Sequence, residues 1–294
     1  MLHIPISEET LLDQIEAHRP GWLNRAAERR QNARALGHHD AEKTPIWSEI
    51  KPVFLRLQHD KCAFCERKLE SATYGLVEHD VEHYRPKSEV KGWPTPEIRA
   101  RRQIAYKFAT GGDSTRGYPV LAHAPLNYVT SCKTCNTALK SSFFPVAGPR
   151  SKSTSEDVRK YAGEAPLLVY PLGDVDERPE DLISFVGQIP VPRYKTGHRR
   201  RRAVVTIDFF ELDTREHLLF GRAEKITNIY TLRALLRLRP EEASTHKVLA
   251  YALSPASAHT ICGRTFDALC TSDPATAKRF YEQAVRYLES ATQG

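Results

Sequence analysis

Long apolar runs are missing from this chain, and no stretch approaches the length that a membrane-spanning helix needs. Methionine occurs once and tryptophan three times, and only six cysteines are present in 294 residues. Internal repeats and low-complexity tracts are absent apart from Arg199-Arg200-Arg201-Arg202. The opening residues, Met1 to Glu9, lack a basic stretch followed by an apolar one, which argues against a secretory signal and for a cytoplasmic protein. A disulfide framework does not suit a chain without an export signal, so the cysteines call for another account.

What is present is a balanced globular composition, 40% hydrophobic and 27% charged. The net charge of +7 (43 Lys+Arg minus 36 Asp+Glu) favours a polyanionic partner without proving one. Apolar periodicity predicts a helix over 7–19 capped by Ser7 and a basic helix over 21–36 stopped by Gly37. A third helix is expected from Thr44-Pro45, kinked at Pro52, with Trp47 on its apolar, core-facing side. Residues 77–83 alternate as a strand, placing Val77, His79, Val81 and His83 on one face and Glu78, Asp80 and Glu82 on the other. Cys132 to Phe143 suits a turn into a short helix, and a helix is expected near 98–108. Residues 147–160 read as a linker, and 166–171 and 203–207 as short strands or extended segments. Helices are predicted at 214–237, 240–252 and 274–290. The fold class expected is α+β, with an N-terminal helical segment (1–58), a metal-bearing core (59–147, with an insertion at 91–125) and a mostly helical C-terminal region (148–294).

The chemistry concentrates between Cys62 and Lys140. Cys62-x-x-Cys65 and Cys132-x-x-Cys135 supply four thiolates, the ligand set of a closed structural zinc site with no position left for substrate. Catalysis must then come from other residues of the stretch. His83, preceded by Glu82, is a candidate general base, since a neutral imidazole can take a proton from water. A carboxylate and an amide oxygen are hard ligands for a partly hydrated Mg²⁺ or Mn²⁺, and Asp80 competes with Glu82 for that place. His38, His39, His79 and His123 read as packing or solvent-facing residues.

Three segments, Glu82-His83-Tyr84-Arg85-Pro86-Lys87, Asn127-Tyr128-Val129 and Cys132-x-x-Cys135-Asn136-x3-Lys140, resemble the HNH endonuclease motif in its four-cysteine form. The resemblance implies a ββα-metal core, His83 as base, Asn127 bracing the loop and orienting His83, and Asn136 with Glu82 on the catalytic metal. The gap of 44 residues from His83 to Asn127 exceeds that of the compact motif and implies an insertion near the substrate. The Glu-His-x-x-Pro-Lys form, Cys135-Asn136-x3-Lys140-Ser141-x2-Phe144-Pro145 and Glu164 to Pro171 look like the HNH subunits of bacterial anti-phage systems, the Septu type being nearest. That likeness implies an ABC-type ATPase partner and double-stranded DNA as substrate. Lys87, Lys140, Arg85, Arg101 and Arg102 are the expected phosphate contacts, and the 193–202 run divides evenly between that and a solvated or docking surface. The competing reading is a non-catalytic zinc module that binds nucleic acid or protein.

Overall fold

The computed structural model describes residues 1–39, 45–70 and 78–291. Val77 and Thr44, which the sequence reading placed in the strand and at the third helix start, lie outside the described residues. The first two helices follow their local signals. Helix α1 (Glu8–His18) is capped by Ser7, whose hydroxyl accepts from the Thr10 amide, and it buries Leu11 and Ile15. Helix α2 (Trp22–Leu36) ends on Gly37 in the left-handed conformation, as a glycine stop requires. The third segment differs from expectation. A 3₁₀ turn (Ile46–Ile50) passes into α3 (Lys51–Leu57), and Pro52 occupies the first turn of α3, where its missing N–H removes no helical bond. It starts a helix instead of kinking one.

Strand β1 (His79–His83) pairs antiparallel with β2 (Tyr128–Cys132), His83 facing Tyr128 and His79 facing Cys132. A short helical turn of π type (Thr134–Lys140) follows at once, burying Cys135 and Lys140. Between the strands, the insertion carries α4 (Pro96–Arg102), capped by Thr95 and shorter than the 98–108 helix expected. A buried 3₁₀ turn, Pro119–His123, then leads back to β2.

The stretch read as a linker is fastened down. The Gly148 amide donates to the Glu164 carbonyl, and a 3₁₀ turn (Val158–Glu164) buries Val158 and Tyr161. Residues 166–171, read as a strand or extended segment, form no strand: Pro166 makes an isolated bridge to Val146, and the chain bends at Leu167 and Leu168. Residues 203–207 are not: they lie inside helix α6 (Gly197–Phe209). The β-branched run suggested a strand, but Ala203, Thr206 and Phe209 recur at helical spacing on the buried side, and tertiary burial overrides local propensity. Four-residue α5 (Pro179–Leu182) leads into the hairpin β3 (Ile183–Val186) and β4 (Ile189–Pro192), which precedes α6 and was not foreseen. The C-terminal helices α7 (Glu216–Leu238), α8 (Ala243–Leu253) and α10 (Pro274–Ala291) match prediction, while α9 (Thr260–Ser272) is additional. Buried side chains form two clusters, one running from Met1 to Leu218 and a second from Ala223 to Ala284. No helix among the described residues is long and apolar enough to cross a membrane.

Candidate metal centre and adjoining cavity

The Ala63 amide donates to the Thr130 carbonyl of β2 at 3.1 Å, which brings the first Cys-x-x-Cys pair against the second at the end of that strand. The four sulfurs of Cys62, Cys65, Cys132 and Cys135 are buried and lie within 4.8 Å of one another, Cys65 and Cys132 at 4.0 Å. Tetrahedral ligation at about 2.3 Å requires sulfur separations of about 3.8 Å, so the cluster fits a zinc site. Electrostatics point the same way. Burial pushes the Cys62 and Cys135 thiols up, while sulfur contacts led by Cys135 pull Cys132 down. Four thiolates cannot share such a site without a cation.

A tetrathiolate zinc centre is itself anionic. Arg215, immediately before α7, donates from Nη1 to the Cys135 sulfur at 3.2 Å. Burial acts to lower its guanidinium, but the sulfurs of Cys135, Cys65 and Cys132 outweigh this and hold it above the ordinary range. Arg67 behaves alike: burial opposes, and the Cys132 sulfur and Glu78 prevail. Two arginines therefore face the cluster. Neither follows from the cysteine spacing.

Beside the cluster is a cavity of about 360 Å³, whose lining includes Trp47, Glu82, His83, Lys87, Asn136 and Ser141. It wraps the end of β1, so Glu82 and His83, which alternation sends to opposite faces, both reach it. Asp80 does not line it; it pairs with Lys133 at the surface.

His83 is buried, and its Nε2 is 3.0 Å from the Ala122 carbonyl. A carbonyl only accepts, so Nε2 carries the hydrogen and Nδ1 is the unprotonated nitrogen. Burial, reinforced by Lys87, holds the imidazole well below its ordinary pKa and hence neutral. Asn127 is fully buried. Its Oδ1 accepts from the Arg85 amide at 2.8 Å, and its Nδ2 donates to the carbonyls of Arg85 (3.0 Å) and Leu121 (3.1 Å). It does not touch His83. It pins the chain two residues past His83 and one residue before Ala122.

Burial raises Glu82 to about 7, partly offset by Lys140, whose Nζ lies 3.4 Å away. Lys140 is fully buried and lowered by the same burial. Asn136 is half-buried, and its side chain reaches the cavity next to its zinc-side neighbour Cys135.

Three of the expected phosphate contacts are committed elsewhere. Arg85 points inward: Nε meets Glu164 at 3.1 Å, and its guanidinium lies 5.2–5.8 Å from the ring centres of Phe144, Tyr84, Tyr161 and Tyr118. Lys140 is spent on Glu82, and Arg102 is paired with Asp208 and Asp213. Arg101 remains mostly exposed while bridging to Glu211. Lys87 lines the cavity, its ammonium 4.9 Å from the Trp47 ring centre. In the 193–202 run, Arg202 is buried against Asp176 and the Leu168 carbonyl, and Arg199 pairs with Glu177.

Sequence reasoning missed Trp47, Tyr128 and Ala122 around the imidazole. Tyr128 sat inside the quoted Asn-Tyr-Val segment, and its ring lies at 84° to His83 with centres 5.0 Å apart. Its hydroxyl donates to the same Ala122 carbonyl at 2.5 Å. No spacing rule pointed to a backbone carbonyl 39 residues from His83.

Fold and site together define a mixed α+β chain with a buried four-cysteine cluster that fits a zinc ion, beside a cavity offering carboxylate, imidazole and amide. The chain is similar to the Septu protein PtuB of Bacillus mycoides (strain KBAB4), 23% identical over 204 residues, which cover 65% of this chain and 59% of that relative. It therefore spans about three-fifths of the relative's length. No family model and no solved structure matches.

Proposed function

We propose that this chain is an HNH-type, zinc-stapled endonuclease that hydrolyses phosphodiester bonds of double-stranded DNA. On this reading it is the nuclease of a Septu-like anti-phage system and acts with an ABC-type ATPase partner. The observation that carries the chemistry is His83, neutral and oriented through Nε2, in one cavity with Glu82 and Asn136. Support for a ββα-metal core comes from two antiparallel strands followed directly by the Thr134–Lys140 turn, with Cys132 and Cys135 at that junction and Cys62 and Cys65 packed against them. Likeness to the Septu protein PtuB supports the defence assignment.

Nδ1 of His83 takes the proton of the attacking water. Asn127 keeps the 121–122 carbonyls and the Arg85 backbone in register, so that Nε2 stays tied to Ala122. Glu82 and Asn136 would hold Mg²⁺ or Mn²⁺, which would supply polarisation of the scissile phosphate and charge stabilisation of the leaving oxygen. Both are hard oxygen donors on one cavity wall, and so fit such an ion. Lys140 neutralises the Glu82 carboxylate when no ion is bound, and Lys87 contacts phosphate.

Purified protein, alone and with its partner, is incubated with supercoiled plasmid and Mg²⁺ or Mn²⁺. His83→Ala is expected to keep its zinc and its fold while turnover falls by about 10²- to 10⁴-fold. Cutting at the parental rate by His83→Ala sinks the base assignment.

A further inference from the structure

Tryptophan in this chain serves two different purposes. Trp22 and Trp93 are core residues, 0% and 3% exposed. Trp47 is half-buried and lines the cavity that holds His83. Its indole lies at 89° to the His83 imidazole with ring centres 4.8 Å apart. The Lys87 ammonium sits 4.9 Å from its ring centre, within cation–π range. One side chain therefore touches both the imidazole and the lysine of the cavity.

The backbone that presents Trp47 is firmly held. The Ile46 carbonyl accepts from Trp22 Nε1 at 2.8 Å, and Ile46 and Ile50 are buried. Glu49 is gripped by Arg25 and Arg19, both at 2.7 Å. The indole enters the cavity from a fixed base. On the imidazole, Nε2 is fastened to Ala122, and Tyr128 stands perpendicular to the ring as Trp47 does. A hydrogen bond at one nitrogen still permits the ring to swing about that contact. Perpendicular aromatic neighbours restrict that swing and so fix the direction of Nδ1.

From this geometry we infer that Trp47 is a positioning residue, holding the His83 imidazole and the Lys87 ammonium in fixed relation across the cavity. The inference rests on the phosphodiester hydrolysis proposed above. Losing the indole leaves His83 tied at Nε2 but free to misdirect Nδ1, and leaves Lys87 without its resting face. Small misplacements of a reacting group lower turnover on the order of 10²-fold. Trp47→Phe keeps a ring in place and is expected to fall between the parent and Trp47→Leu.

The test compares the full-length parent, Trp47→Leu, Trp47→Phe and His83→Ala, with zinc content and thermal midpoint as controls for folding. Two readouts are taken: kcat and KM on plasmid DNA with Mg²⁺, and histidine ring resonances by NMR without DNA or Mg²⁺. The His83 signals are assigned by their disappearance in His83→Ala. In Trp47→Leu these signals should move, kcat should fall on the order of 10²-fold, and KM should rise. A residue that only fills space would leave kcat parental below the unfolding temperature. Parental kcat in Trp47→Leu, with His83→Ala inactive, overturns the inference and spares the nuclease reading. Equal cutting by parent and His83→Ala overturns the base assignment on which the inference rests. If the isolated parent does not cut, unmoved His83 signals in Trp47→Leu overturn the contact, and moved signals support it.

Discussion

Asn127 offers a sharp test because its two side-chain atoms make opposite demands. Oδ1 accepts one amide, while Nδ2 donates to two carbonyls, all fully buried. Asn127→Ala removes these three hydrogen bonds, each worth about 1 kcal/mol net, for a loss of about 3 kcal/mol. Asn127→Asp keeps the bond from the Arg85 amide but sets a carboxylate oxygen against the carbonyls that Nδ2 had served, at 3.0 and 3.1 Å. It also buries a charge, which adds several kcal/mol. The nearly isosteric change should therefore be the more damaging one. The sign with pH follows: the introduced carboxyl has a folded pKa above its unfolded value of about 3.9, so its penalty grows as pH rises above that value. Urea unfolding of both variants at pH 7.5 and 5.5 reads this directly. The Asp variant should be less stable than the Ala variant at pH 7.5 and should close part of the gap at pH 5.5. An Asp variant as stable as Ala at pH 7.5, or a gap indifferent to pH, refutes the donor assignment of Asn127.

Zinc removal by a strong chelator should unfold the chain around β1 and β2, since structural zinc contributes on the order of 10 kcal/mol; far-UV circular dichroism checks it. Arg215→Met, losing the charge beside Cys135, should weaken zinc about 10- to 100-fold in a competition titration. His123 and His259 are held down to about 3, first by burial, so both stay neutral in the fold while the unfolded chain protonates them below about 6.5. Stability is then fully present above that pH. By pH 5 it should fall by about 2 kcal/mol for each, read from urea midpoints, with His123→Gln removing its own share of about 2 kcal/mol.

Much of the site was legible because its chemistry is written in short spacings. The two cysteine pairs converge as their spacing suggested, and the Glu-His step falls at the end of a strand, beside the cavity that Asn136 also lines. What escaped depends on partners remote in sequence. Arg85 read as a phosphate contact until Glu164, 79 residues on, claimed its guanidinium within an aromatic cage. Lys140 read the same way, and its burial against Glu82 has no local signal. Trp47 read as ordinary core because periodicity reports which side of a helix is apolar, not what that side meets. The 203–207 run carried β-branched residues, yet the Thr206 hydroxyl accepts the Val169 amide at 2.9 Å from within a helix.

Glu66 and Lys61 flank the first cysteine pair, and both reach the far end of the chain. The Glu66 carbonyl accepts the His259 amide at 3.3 Å, and Lys61 Nζ donates to the Ser257 carbonyl at 3.1 Å and to the Thr260 hydroxyl at 3.0 Å. Arg215 closes the other side on Cys135. Ligands from the first half of the chain are thus insulated and charge-balanced by its last third. Order in sequence and order in energy part company here: with zinc on the four cysteines, whatever loosens α9 or the start of α7 would be felt at the ion, and an emptied site would release its hold on helices that begin 81 and 125 residues past Cys135.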